Sequence, residues 1–361
     1  MWIILTLLVI IALAFYLFSK QDKIGYYAKG ERLRRMEAAP NFKNGVFDNL
    51  ENTPSLAEGE TMLTVMRKWL FTSNPNKQPL SELPHIQTDL NALPLDSNVL
   101  VWFGHSSYYL QLDGKRILVD PVFSGNASPI NNIKAFLGTN TFGVAEMPEI
   151  DLLIISHDHW DHLDYATIRA LEPKVKRVLT GLGVGAHFEG WGYPATKITE
   201  LYWGETADID GLHFTSCTAR HFSGRWLTRN TSLWSSFAVR SSNLNLYLGG
   251  DSGYGKHFKE IGEKLGPFDW AVLENGQYNT SWRYIHMLPD EVVQASQDLR
   301  AEKFIPVHSA KFVLSIHDWD EPLKEVTQYA KNKSALAATP KIGEVVYLNQ
   351  KQSFDAWWEN I

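Results

Sequence analysis

Ser156-His157-Asp158-His159-Trp160-Asp161-His162-Leu163-Asp164 follows directly on the apolar run Leu152-Leu153-Ile154-Ile155. A short, wholly apolar run reads as a strand buried on both faces. The three imidazoles and the Asp161 carboxylate just beyond it read as a metal-ligand cluster. In an extended segment, residues two apart point the same way, so His157 and His159 can share one cation. Asp161 and His162, on the turn that follows, can reach a second.

Two adjacent cations need more protein ligands, and the chain offers them downstream where strands are predicted to end. His221 follows the strand-like run 212–218. Asp251 follows Leu246-Tyr247-Leu248-Gly249-Gly250, whose two glycines permit close backbone approach, and its two oxygens can bridge two metals. His308 closes Phe304-Ile305-Pro306-Val307. Their common place at the C-terminal ends of strands is where α/β sheets gather ligands.

The order His-x-His-x-Asp-His, a histidine, Gly-Asp-Ser-Gly and a final histidine resembles the metallo-β-lactamase superfamily, over residues 96 to 350. Within that superfamily, Trp102-Phe103-Gly104-His105-Ser106, Val119-Asp120-Pro121-Val122-Phe123, His221-Phe222-Ser223-Gly224-Arg225 and Gly250-Asp251-Ser252-Gly253-Tyr254 resemble the N-acyl-phosphatidylethanolamine-hydrolysing phospholipase D group and its bacterial relatives. The resemblance implies two zinc ions per chain. His157, His159 and His221 would hold one, Asp161, His162 and His308 the other, with Asp251 between them. It also implies an α/β fold, the four-layer αβ/βα metallo-β-lactamase sandwich, here preceded by one N-terminal transmembrane helix.

The remaining patterning fits that fold. Period-two alternation and turn residues predict strands at 99–103, 108–112, 116–120, 152–156, 177–180, 233–239, 245–248, 270–273, 303–307 and 345–348. Helices are predicted at 61–71, 165–171, 184–188, 255–265, 289–300 and 321–331. β-rich stretches with helices interleaved in both halves suit a layered sandwich.

Composition narrows the function. A chain of 361 residues, 44% hydrophobic, can bury one large core. A net charge of −6 without a dense Lys/Arg stripe gives no footprint for nucleic acid. The single cysteine, Cys217, excludes an internal disulfide framework.

Residues 2–18 are apolar except Thr6 and would span about 26 Å as a helix. Nothing basic precedes the run, and Phe15-Tyr16-Leu17-Phe18 is a poor cleavage site, so residues 1–19 read as a signal anchor. Lys20, Lys23, Lys29, Arg32, Arg34 and Arg35 follow it, and the positive-inside rule then places the catalytic domain in the cytoplasm, on a single-pass inner-membrane protein. Residues 20–95 read as a basic juxtamembrane segment and extended arm, and residues 96–361 as the hydrolase domain.

Two metals about 3.5 to 4 Å apart suit phosphodiester hydrolysis, and equally lactone or amide hydrolysis. Besides the ligand Asp161, the expected catalytic residue is His286, placed to donate a proton to a leaving alkoxide. Gln277 and Tyr278 are read as pocket wall, and Arg225 and Arg229 as phosphate contacts. His105, Asp120 and Asp164 are read as supports for the ligands. Trp160, Trp226 and Trp282 are read as lining for acyl chains.

The expected activity is cleavage of N-acyl-phosphatidylethanolamine-like phospholipids, with the membrane and a phospholipid as partners, to an N-acylethanolamine and phosphatidic acid. The alternatives are a lactonase resembling the ascorbate-6-phosphate lactonases, or a non-catalytic membrane-tethered scaffold.

Overall fold

The computed structural model describes residues 2–72, 74–359 and 361. The N-terminal part holds α1 (Trp2–Ser19), α2 (Gly30–Glu37), the short hairpin β1 (Phe42–Lys43) and β2 (Val46–Phe47), and α3 (Met62–Phe71). The first half of the body then runs β3 (Val99–Trp102), β4 (Tyr108–Leu112), β5 (Lys115–Val119), β6 (Ile150–Ile155), α4 (Tyr165–Leu171), β7 (Val175–Gly181), α5 (Gly185–Gly190) and β8 (Ile198–Leu201). The second half continues with β9 (Thr206–Ile209), β10 (Leu212–Cys217), β11 (Ser236–Arg240), β12 (Asn245–Leu248), α6 (His257–Lys264), β13 (Phe268–Glu274) and α7 (Pro289–Asp298). It closes with β14 (Ala301–Val307), α8 (Glu321–Asn332), β15 (Leu336–Ala337) and β16 (Val345–Tyr347).

These strands form two seven-stranded sheets, ordered β16-β3-β4-β5-β6-β7-β8 and β15-β14-β13-β12-β11-β10-β9. In both, an antiparallel meander passes into parallel strands joined by helices. The two halves therefore follow one plan, and β16 returns to close the edge of the first sheet.

The sheets pack face to face. Leu100, Leu110 and Ile154 from the first share a buried cluster with Phe214, Leu246 and Val272 from the second. The opposite face of the first sheet carries Ile168 and Leu171 of α4 and Phe188 of α5. The opposite face of the second carries Phe258 of α6, Val292 of α7 and Val326 of α8. Helix, sheet, sheet, helix is the four-layer αβ/βα sandwich the resemblance implies. β6, covered on both faces, is apolar at nearly every position for that reason.

Local chemistry explains the helix starts that position the site. The Asp164 carboxylate accepts from Ala166 N at 3.3 Å and caps α4. α7 starts with Pro289 at its first turn, and Glu291 reaches back to accept from Leu288 N at 2.9 Å.

The structure changes one strand boundary and adds detail at the edges and the arm. The predicted strand 233–239 begins only at Ser236, because Leu233 N is taken by Leu182 O and Ser235 N by Ser156 O. β8 and β9 are edge strands whose mixed polar pattern hides them from a periodicity reading. The arm of residues 20–95 wraps the domain over part of its length: Met36 and Phe47 share a cluster with Trp203 and Trp234, and Leu90 and Leu93 lie in the core outside the first sheet.

Candidate metal centre

β5, β6, β10, β12 and β14 run in one direction, so the loops after them meet at one edge of the sandwich. Two ligand groups gather there. One is His157, His159, His221 and Asp251; the other is His105, Asp161, His162 and His308. In each, the ligand atoms lie within 4.8 Å of one another.

Asp251 reaches both groups: its Oδ2 lies 3.2 Å from His162 Nε2, 3.7 Å from His221 Nε2 and 3.9 Å from His157 Nε2. Its Oδ1 lies 3.1 Å from His308 Nδ1. All seven ligands expected from the sequence are thus brought together.

The donor set fits metal ions. His157 Nε2 and His159 Nδ1 converge to 2.8 Å, and His221 Nε2 lies 3.3 Å from the same His159 nitrogen. The lone pairs of three imidazoles point into one space. His162 Nε2 and Asp251 Oδ1 are buried without a hydrogen-bond partner, an expensive state for polar atoms unless a cation completes them. Burial and neighbouring imidazoles hold His157 far below its ordinary range; burial does the same for His221 and His308, and takes His159 down to about 4. Neutral imidazole is the ligating form. Burial also works against charge on His162, but Asp251, Asp161 and Asp120 outweigh it and raise that group. The carboxylates around His162 thus call for positive charge, which a cation would supply.

The ligands are oriented from behind. The Asp120 carboxylate lies 2.8 Å from His162 Nδ1 and accepts from Ser156 N at 2.8 Å and Ser156 Oγ at 2.6 Å. His221 Nδ1 donates to Ile285 O at 2.8 Å. His105 Nε2 lies 2.8 Å from Asp161 Oδ2. Such contacts fix ring orientation and tautomer. The metal loop itself is held by Asp158, which accepts from Gly224 N at 2.6 Å and Ser232 Oγ at 2.8 Å and lies 3.2 Å from His187 Nε2.

Glycines let these loops close. A Cβ on Gly250 would lie 2.7 Å from Ser156 Cβ, and one on Gly253 only 2.0 Å from Tyr284 O.

His286 joins the centre. Its ring lies 5.1 Å from those of both His308 and His221, and its Nδ1 is 3.3 Å from Glu274 Oε2. Glu274 is buried and also accepts from Met287 N at 2.6 Å. Burial works against charge on His286, yet Glu274 overrides it and raises the imidazole; burial in turn raises Glu274. The centre is closed except at His159, Asp161 and His286, its partly exposed members.

Three residues read as substrate contacts have other partners. Arg225 is buried, donating to Asp158 O at 2.9 Å, Leu163 O at 2.8 Å and Lys23 O at 2.8 Å while stacking on Trp160. It clamps the metal loop from behind, because backbone carbonyls take up its fork. Gln277 is spent within the chain, donating to His308 O and Phe312 O and accepting from Leu314 N. Tyr278 is buried, with its hydroxyl donating to Glu321 at 2.9 Å. Arg229, by contrast, is exposed and stacks 3.8 Å from the centre of the Phe222 ring, which itself packs on His159.

The three tryptophans also divide. Trp160 supports Arg225, Trp282 Nε1 donates to Gln277 O, and Trp226 packs against Phe15 and Phe18 of α1. Glu274 and His187 were not legible as site residues, since each lies in a stretch without ligand spacing, and Asp158, between His157 and His159, points to the opposite side of the extended segment from them.

The family model described as the beta-lactamase superfamily domain matches residues 115–309. A Mycobacterium tuberculosis protein of unassigned function is 37% identical over 327 residues, covering 89% of this chain and 88% of its own. The N-acyl-phosphatidylethanolamine-hydrolyzing phospholipase D 1 of Caenorhabditis elegans is 32% identical over 267 residues, covering 68% of this chain and 74% of its own. Among solved structures, a metallo hydrolase from Ignicoccus hospitalis aligns with a TM-score of 0.54 at 21% identity, over 69% of this chain and 97% of that one.

Proposed function

Since the chain belongs to the beta-lactamase superfamily, a family of metal-dependent hydrolases, we propose that it is a two-zinc phosphodiesterase acting on N-acyl-phosphatidylethanolamine-like phospholipids. The observation that carries this reading is the Glu274–His286 pair set against Asp251 and His308, an acid held beside a two-site ligand cluster. His157, His159, His221 and Asp251 would hold one ion, and Asp161, His162, His308 and Asp251 the other, with His105 steadying Asp161. Bound there, zinc supplies Lewis acidity toward a phosphoryl oxygen and lowers the pKa of water toward neutrality.

The chain's own groups do the rest. Glu274 fixes His286 through Nδ1, leaving Nε2 to donate a proton to the alkoxide that departs from phosphorus. Arg229, exposed beside Phe222, is placed to meet the negative charge of the phosphodiester. Burial of the ligand cluster keeps bulk water from screening these contacts. α1 is apolar enough to cross a membrane, and the basic residues after it support, by the positive-inside rule, a body on the cytoplasmic side. Arg32 is drawn into the fold by Glu189 and Glu200, whereas Lys20, Lys29, Arg34 and Arg35 stay exposed, Arg34 beside Glu31 and Arg35 beside Glu205, to meet anionic headgroups.

The test is product mass spectrometry of the purified full chain, loaded with zinc, on vesicles containing N-acyl-phosphatidylethanolamine. N-acylethanolamine and phosphatidic acid are expected, with loss of both after chelation. Opening of sugar lactones without phosphodiester cleavage would assign a lactonase, and absence of bound metal would assign a scaffold.

A further inference from the structure

α3 is oriented the opposite way from an ordinary surface helix. At about 100° per residue, Met62, Leu63, Val65, Met66, Trp69 and Leu70 fall on one side, with Thr64, Arg67 and Lys68 on the other, where the terminal Phe71 also lies. The polar side is the one tied down: Lys68 Nζ donates to Ser281 Oγ at 3.0 Å and pairs with Glu60, and Thr64 Oγ1 donates to Glu60 at 2.7 Å. The whole helix is exposed apart from Val65, which is partly buried, and on the apolar side Met62, Leu63 and Leu70 have no protein cover, at 73%, 61% and 67% exposed. A helix of ten residues is shorter than the roughly 12–15 needed to hold alone in water, so a partner for this face would also sustain the helix.

The rest of the chain points to lipid as the partner. α1 offers an exposed apolar helix from the same chain, and its foot lies against Trp226, with ring centroids 5.3 Å from Phe15 and 4.8 Å from Phe18. Beside Trp226, Leu227 is 73% exposed. At the far end of α3, the Lys77 amine sits 5.4 Å from the Trp69 ring, and Arg67 is exposed. Aromatic and basic side chains bordering an apolar face are the pattern of a helix lying at headgroup depth.

Both contacts lead to the metal centre. The Trp226 loop begins at His221 and Phe222, and the Ser281 turn that anchors α3 leads to His286. We propose that α3 lies in the bilayer interface as a second, in-plane contact beside α1, turning the opening at His159, Asp161 and His286 toward the membrane. Substrates whose acyl chains stay in the bilayer could then reach the centre. The substrate part rests on the phospholipid reading above; the docking does not.

The test uses the full chain reconstituted in vesicles of phosphatidylethanolamine and phosphatidylglycerol. Cys217 is buried, and burial pushes its thiol up to about 12, so a fluorophore on an introduced cysteine reports one place. Labels at Met66→Cys and Leu70→Cys should be quenched by nitroxide-bearing acyl chains and shielded from aqueous iodide, whereas a label at Gln328→Cys on α8 should behave in the reverse way. Labels on α3 open to iodide would overturn the proposal. So would labels shielded from both quenchers, which would mean that a second copy or another protein covers the face.

In parallel, the triple variant Leu63→Ser, Met66→Ser, Leu70→Ser should cleave bilayer substrate about tenfold more slowly while cleaving a soluble chromogenic phosphodiester at the unaltered rate. Equal activity on vesicles would overturn the proposal. Labels in lipid without phospholipid cleavage would leave the docking standing and remove the substrate reading; lipid cleavage with α3 in water would do the reverse.

Discussion

Glu274 ends β13 inside the protein, and its two oxygens have separate duties: one accepts from Met287 N, the other faces His286 Nδ1. Glu274→Gln keeps the shape but removes the charge that favours a protonated imidazole. Turnover should fall about tenfold to a hundredfold for substrates with poor leaving groups, and far less for nitrophenyl esters that depart without a proton. Equal losses on both would show that Glu274 shapes the loop and nothing more. Lys311 is a buried charge of another kind. Its Nζ donates to Phe103 O at 3.1 Å and Val122 O at 3.0 Å, and burial lowers it to about 7. The unfolded chain binds this proton more tightly, so stability rises as pH climbs from about 7 toward the ordinary lysine value of about 10.4, and that gain is lost as pH falls back to about 7. The melting temperature of the parent minus that of Lys311→Met should therefore increase between about pH 6 and about pH 9. A flat difference would show that the amine keeps its charge throughout.

The loops that carry ligands meet through glycine, and this makes the Gly250-Asp251-Ser252-Gly253 turn a rigid element. Gly253 packs against Tyr284 O, and the next residue, Ile285, supplies the carbonyl that orients His221. Gly253→Ala should push that segment away at a stability loss of about 1–3 kcal/mol. The cost should fall on His221, so zinc content should drop more than the fold does. Denaturant titration together with metal analysis distinguishes this from general destabilisation, in which full zinc content would persist in the folded fraction.

Across the whole molecule, the metal centre lies where the two sheets meet, and each ligand group draws on both. His157, His159, Asp161 and His162 follow β6 in the first sheet, while His221, Asp251 and His308 follow strands of the second. Ions bound there would join the two halves. Chelation should lower the melting temperature by several degrees, and zinc should restore it, because a ligand bound only by the folded state stabilises that state. Unchanged melting after complete metal removal would refute the cross-link. Asp251→Asn, striking the residue shared by both groups, should take metal content from about two ions per chain to below one and lower turnover by several orders of magnitude. Near-normal hydrolysis with full occupancy would refute its bridging position.

The metal loop, the downstream candidate ligands, the strand-and-helix pattern of the sandwich and the apolar helix α1 are legible along the chain. Each is written in neighbours along the chain: apolar runs, two-residue spacing, glycines at strand ends. Only the tertiary structure decided that Arg225, Gln277 and Tyr278 are internal braces, that Glu274 stands behind His286, and that Asp158 and His187 hold the metal loop. These depend on which loops meet across the sandwich. Nor could periodicity show which way α3 faces. An amphipathic pattern defines two sides of a helix, but only the contacts of Lys68 with Ser281 and Glu60 determine that the polar side is the one bound to the protein.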